Sequence, residues 1–158
     1  MIRAYQEEDL DTLVEIGNLA WRDIYRMFRE SYGDQLFQLL VPDPQSAKGE
    51  QIRCHCQRHP DCVIVYEEAG RVMGFVTFRM DREKGMGELG NNGVHPDVRG
   101  RGIAQELYAA ALDRFRQAGL QYAKVHTGLD PAHGPARRAY EKAGFNIRHE
   151  DVEYFREL

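Results

Sequence analysis

At 158 residues, with 42% hydrophobic and 29% charged side chains, the chain has the size and make-up of one soluble globular domain with a real core. A net charge of −4 and a pI near 5.9 argue against nucleic acid as the main partner and leave only a local basic patch open. No apolar run reaches membrane-spanning length, so no membrane partner is expected.

The first residues, Met1 to Glu8, lack the basic-then-apolar order of a secretion signal and read as a mature, cytoplasmic start. Ile2 to Tyr5 is a short strand candidate. Acidic Glu7, Glu8 and Asp9 then stand where a helix N-terminus favours negative charge. Leu10, Leu13, Val14 and Ile16 open a helical pattern that runs through Leu19 and Trp21. A second stretch carries Tyr25, Phe28, Tyr32, Leu36, Leu39 and Leu40, with Gly33 as a break inside it. After the Val41–Pro44 loop, a third helix is expected from about Ser46 to Arg58, stopped by Pro60-Asp61.

Three cysteines, an odd number, do not make a disulfide framework and fit reduced thiols. Cys54, Cys56, His59 and Cys62 fall close together, which raises a zinc site. The spacing argues against it: Cys54 and Cys56, two apart on a helix, point to different faces. No metal is expected.

From Cys62 the period changes. Cys62–Tyr66 and Val72–Phe78 read as a hairpin about the Glu67–Gly70 turn, and Glu88–Val94 as a third strand beyond a turn flanked by Gly85 and Gly87. Ile103, Leu107, Tyr108, Ala111, Leu112 and Phe115 form one apolar stripe on a helix closed by Ala118-Gly119. Tyr122–Thr127 is a strand and Pro135–Lys142 a helix ended by Gly144. Phe145–Arg148 and Val152–Phe155 are expected to be closing strands. This order is that of a mixed-sheet α/β (α+β) layer fold in a single domain spanning 1–158. It is not a dinucleotide fold: the glycines do not lie in the first βα turn, and Gly-x-Gly-x-x-Gly is absent. No Gly-x-x-x-x-Gly-Lys-Ser/Thr loop for a nucleoside triphosphate is present either.

The junction Val98-Arg99-Gly100-Arg101-Gly102-Ile103-Ala104 has the ingredients of a phosphate site. Two glycines allow close backbone approach, the following helix offers unpaired N–H groups and its dipole, and two arginines add charge. Taken alone, it reads equally as a glycine-rich turn with solvated arginines. Glu88 to Val94 lacks clean alternation, and Gly90 and Gly93 mark either a bulge with close backbone approach or a simple strand twist.

With these residues in view, the chain resembles the GNAT superfamily of N-acetyltransferases. Arg99, Gly102 and Ala104 match the pattern Arg/Gln-x-x-Gly-x-Gly/Ala, which in that family cradles the pyrophosphate of acetyl-coenzyme A. Val94-His95-Pro96-Asp97 looks like the family's end-of-strand segment, and Ala136 to Phe145 like its second signature. The likeness is strong over residues 85 to 148 and weak before 60.

The resemblance implies a GNAT-type fold, a mixed central sheet of six to seven strands flanked by helices, with acetyl-coenzyme A as cosubstrate. It implies cofactor contacts by Asn92 and Val94, where free N–H groups of a bulged strand bind the acetyl carbonyl. Further contacts fall to Arg99, Gly100, Arg101, Gly102, Ile103 and Ala104. His133 stands where many relatives carry an asparagine, which changes the geometry of that contact. Tyr140 is the match for the acid that protonates the departing thiolate, although it also lies on the apolar face of its helix. For the base, Glu88 is the first candidate, acting directly or through water, and His126 the alternative. His95 is expected to have no chemical role.

The resemblance also implies, as acceptor, an amine of a small molecule or protein. Trp21, Tyr25, Phe28 and Tyr32 form either one wall of its pocket or part of the core. Glu150, Asp151 and Glu153 either attract a cation or form a solvated face. A homodimer is compatible with all of this. The rival readings are a non-catalytic acyl-coenzyme A binding module on the same fold and a zinc-dependent interaction domain.

Overall fold

Leu10–Tyr32 forms one continuous helix, α1, in the computed structural model, which describes residues 1–158. The expected division of this region moves accordingly: Tyr25, Phe28 and Tyr32 belong to α1. Gly33, at φ 77°, ends that helix by donating its N–H to the Arg29 carbonyl at 3.0 Å. A short helix α2 (Asp34–Leu40) and α3 (Ala47–Arg58) follow.

Strands β1 (Ile2–Ala4), β2 (Val63–Glu68), β3 (Arg71–Asp81), β4 (Met86–Val94) and β5 (Tyr122–Val125) lie in one sheet, side by side in chain order. The first four are antiparallel and β5 is parallel to β4. The connection between these last two is helix α4 (Ile103–Gln117), and α5 (Gly134–Lys142) comes after β5.

Both faces of the sheet are covered. On one, α1 and α3 pack Leu13, Ile16, Ile52 and Cys56 onto Val63, Val65 and Phe75. On the other, α4 packs Ile103, Leu107, Ala111 and Phe115 onto Ile64, Val76, Phe78 and Leu89. This two-sided burial explains why Val72–Phe78 is a nearly continuous apolar run.

The sheet has five strands, fewer than the six to seven expected. Neither Phe145–Arg148 nor Val152–Phe155 is a strand; residues 145–158 have no regular structure. A strand needs a face to bury, and here only Phe145 reaches the core. Ile147, Val152 and Tyr154 are largely exposed, and charged residues separate them. Phe145 is held because α5 ends in a left-handed Gly144 (φ 96°), with Phe145 N–H returned to the Tyr140 carbonyl at 3.1 Å.

Candidate active site

The β3–β4 register fixes which side chains meet. Val76 stands opposite Asn92 but Phe78 opposite Leu89, so β4 carries one extra residue, with Gly90 and Asn91 facing Thr77. The Thr77 hydroxyl donates to the Asn91 carbonyl (3.1 Å), and a Cβ on residue 90 would come 2.7 Å from that hydroxyl. Of the two readings the glycines allowed, the bulge is therefore the one present. Its consequence is a change of phase. Leu89 faces α4, yet Asn91 turns to α3, and Asn92 is delivered to the α4–α5 side. Pairing of β5 with β4 stops at Leu89–Val125, so Gly90–Val94 has no strand neighbour on that edge.

On this edge Asn92 joins two tyrosines. Its Nδ2 donates to the Tyr140 hydroxyl at 3.0 Å and to the Gly90 carbonyl at 3.0 Å, while its Oδ1 accepts from the Tyr108 hydroxyl at 2.7 Å. The Gly90 carbonyl, which can only accept, sets the orientation of the amide. The two phenol rings lie 5.2 Å apart. Burial pushes both phenols above the ordinary tyrosine range, and the neighbouring Tyr140 adds to the effect on Tyr108. Both are therefore neutral proton carriers. The Tyr108 proton is spent on Asn92, whereas Tyr140 receives a bond from Asn92 and keeps its own proton to give. Tyr108 is missing from the sequence-based candidates because it lies on the apolar stripe of α4. The one signal was its hydroxyl, which a buried stripe must satisfy somewhere.

The glycine-arginine turn opens α4. Gly100 (φ 78°) and Gly102 (φ 84°) are left-handed, and the space a Cβ would take at either is empty. The Gly102 carbonyl accepts from Gln105 and Glu106 (2.9 and 3.3 Å), while first-turn amides such as those of Ile103 and Ala104 have no intrahelical acceptor. Ile103 is 2% exposed and anchors the turn in the core, so only its backbone faces outward. Arg99 is exposed and has no ion-pair partner. Arg101, by contrast, is held at 2.9 and 2.6 Å by both carboxylate oxygens of Glu68 at the β2–β3 hairpin. One of the two expected cationic contacts is thus already neutralised.

Glu88 lies on the opposite face of the sheet from Tyr140. Its carboxylate is 3.3 Å from Lys124 Nζ, and it lines a polar cavity of about 130 Å³ with His55, Thr77, Arg79, Gly90 and Asn91. His126 is exposed just beyond β5. His133 is committed: its Nδ1 lies 2.6 Å from Asp130 Oδ2 and its backbone N–H donates to Asp130 Oδ1 at 3.0 Å. Only Nε2 of that ring is left for a ligand. Burial alone would raise the Asp130 pKa, but the His133 bonds outweigh it and hold the carboxyl below its usual value. His95 Nδ1 accepts from the Asp97 amide at 3.3 Å, a local turn contact.

Lys48 also escapes the sequence reading, because a helical lysine is ordinarily solvated. It is 8% exposed, sits 4.1 Å from the Trp21 ring centroid, and donates to Gln51 Oε1 (2.7 Å) and Asn91 Oδ1 (3.1 Å). Burial pulls its pKa down to about 8. Trp21 therefore roofs a buried amine, Tyr25 is core, and Phe28 and Tyr32 stack at 5.5 Å with Phe28 6.1 Å from His133. Of the acidic C-terminal residues, Glu150 is paired with Arg148 at 2.7 Å. The cysteine-histidine cluster does not assemble: Cys56 is buried in the α1–α3 core, and no three His, Cys, Asp or Glu side chains are placed to hold a metal. No helix is long and apolar enough to cross a membrane.

Residues 21–145 match the acetyltransferase (GNAT) family. A mycothiol acetyltransferase of Actinosynnema mirum is 32% identical over 92 residues, which are 58% of this chain and 30% of that protein. The chain thus spans about 30% of the length of the curated relatives it matches. Among solved structures, the PaiA N-acetyltransferase of Thermoplasma acidophilum in complex with coenzyme A superposes with a TM-score of 0.74. That likeness covers 96% of this chain and 92% of the other at 18% identity. A GNAT family acetyltransferase from Brucella melitensis in complex with acetyl-CoA gives a TM-score of 0.63 at 21% identity, covering 93% and 82%.

Proposed function

The chain belongs to the GNAT acetyltransferase family, and from that premise we propose that it is an acetyl-coenzyme A-dependent N-acetyltransferase, residues 1–158 forming one domain. The observation that carries this reading is the pairing of Asn92 with the Tyr140 hydroxyl on the splayed edge of β4 (3.0 Å), which leaves a neutral phenol free to donate.

In this reading the turn from Arg99 to Ala104 holds the pyrophosphate. Gly100 and Gly102 leave room for it, first-turn amides and Arg99 supply donors, and Ile103 fixes the helix start. The two solved neighbours described above hold coenzyme A or its acetyl thioester, which supports the same ligand. Backbone N–H groups at Asn92 and Val94, on the edge that β5 leaves open, polarise the acetyl carbonyl, a device worth about 3 kcal/mol per donor. The free amine attacks the carbonyl carbon, the C–S bond breaks, and Tyr140 gives its proton to the sulfur. Glu88, reaching the reaction from the other face through the bulge, accepts the ammonium proton directly or through water. Three free thiols suit a reducing, cytoplasmic setting.

The test is release of coenzyme A from acetyl-coenzyme A with a panel of amines, in the native chain and in Tyr140→Phe. Amine-dependent turnover that collapses in the variant supports the reading. Saturable coenzyme A binding without turnover of any amine would make the chain a binding module instead.

A further inference from the structure

Resting on the reading just given, we propose that the acceptor amine carries its own oxyanion, a carboxylate or phosphate within a few bonds of the nitrogen, held by Arg79 and Arg58 in the cleft beneath α3. A cleft of about 520 Å³ runs along α3, within the range of small-ligand sites. It shares His55, Arg79 and Asn91 with the smaller cavity that holds Glu88 and the Gly90 bulge. A molecule in the cleft therefore lies against residues that also line the cavity at the bulge.

The charges in this space are not balanced. Both carboxylates are engaged, Glu50 with Arg53 (3.4 Å) and Glu88 with Lys124 (3.3 Å). Arg58 and Arg79 make no hydrogen bond or ion pair with any side chain. His55 registers the excess: burial first, and then the charges of His59 and Arg79, disfavour it as a cation, against the Cys62 carbonyl, which lies 3.3 Å from its Nε2 and favours the cation. What the cleft lacks is a negative group free of a basic partner, and arginine is the side chain best shaped to hold a carboxylate or phosphate in two places.

The register sets the spacing. Arg79 stands directly opposite Glu88, and cross-strand partners have their Cα atoms about 5 Å apart. An oxyanion at Arg79 and an ammonium beside Glu88 thus belong to one short molecule of amino-acid or phosphoamine type. Arg58, at the end of α3, offers a second contact to the same anion or to a longer one. An acceptor bearing only positive charges would meet two unneutralised arginines.

The experiment compares matched amines with and without the anion: tyrosine against tyramine, and phosphoethanolamine against ethanolamine. Each is assayed by coenzyme A release in the native chain and in Arg79→Gln, a substitution on an exposed side chain. The anionic member is expected to be preferred by at least about tenfold in kcat/KM, and the preference to vanish in Arg79→Gln with the KM for acetyl-coenzyme A unchanged. Tyrosine against phosphoethanolamine tells carboxylate from phosphate. Preference for the member that lacks the anion, or a preference that Arg79→Gln leaves intact, overturns the proposal. If no amine is acetylated, the same four compounds are titrated by NMR. Shifts of the Arg79, Gly90 and Asn91 amides that need the anion and disappear in Arg79→Gln uphold the cleft while the transferase reading fails. No such shifts overturn the cleft as well.

Discussion

Asn92 Nδ2 stands 3.0 Å from the Tyr140 hydroxyl, a bond between β4 and α5 across 48 positions of sequence. It exists because one extra residue in β4 turns Asn92 to the α5 side, and because α5 buries Tyr140 against Tyr108. Tyr140→Phe keeps the ring and its packing but removes the proton donor. Turnover is expected to fall by about 100-fold or more, the usual weight of a general acid, with coenzyme A affinity nearly intact. Steady-state kinetics beside calorimetric binding of coenzyme A check it; a large loss of binding would make the tyrosine a packing or contact residue.

Asn92→Ala should cost more stability than Tyr140→Phe. It strands the Tyr108 and Tyr140 hydroxyls in a buried site without their partner, for which about 2 to 3 kcal/mol is expected. Adding Tyr108→Phe to Asn92→Ala should recover part of that loss, because one unpaired hydroxyl is then gone. Urea unfolding of the single and double variants measures the coupling, and strict additivity would show that the Tyr108 bond contributes nothing.

At Gly102 the backbone is left-handed and the Cβ position is open, so conformation and ligand space can be separated. Gly102→Ala should lower stability by about 1 to 2 kcal/mol, the cost of a side chain in that region. Gly102→Asp should in addition abolish coenzyme A binding, since a carboxylate would stand where the pyrophosphate is to sit. Calorimetry on both variants tests this; native affinity in Gly102→Asp would remove the turn from the site.

Lys48 predicts a pH dependence. Its folded pKa is about 8 against an ordinary 10.5, so between those values the unfolded chain binds the extra proton. Stability then rises with pH through this window and is flat below it. Tyr108, Tyr140 and Cys56, all raised by burial, pull the other way, so the comparison must be with Lys48→Met. From pH 7 to 9.5 the native chain should gain about 2 kcal/mol relative to that variant. Equal slopes in urea unfolding would mean that the amine is solvated.

Much of the fold is legible in the chain because it is written in local chemistry. The third helix, the Glu67–Gly70 hairpin turn and the start of α4 at Gly102 all follow from turn and period signals. Failures occur where local pattern and burial part company. Val152–Phe155 alternates like a strand, yet Tyr154 is 87% exposed and nothing covers it. The site divides in the same way. Gly90 announces the bulge, but only the register reveals that the bulge sends Asn92 and Glu88 to opposite faces. Tyr108 and Lys48 are invisible because a hydroxyl on an apolar stripe and a lysine on a helix look ordinary until their partners are known.

The most direct measurement is thermal unfolding with excess acetyl-coenzyme A, with NAD and ATP as controls. A ligand at about 100 times its dissociation constant adds about 2.7 kcal/mol, which should raise the midpoint of a domain this size by about 5 to 10 °C. A shift of that order with acetyl-coenzyme A alone is the result expected of the Arg99–Ala104 turn. No shift, or an equal one with ATP, would contradict the acetyl-coenzyme A site and the transferase reading built on it.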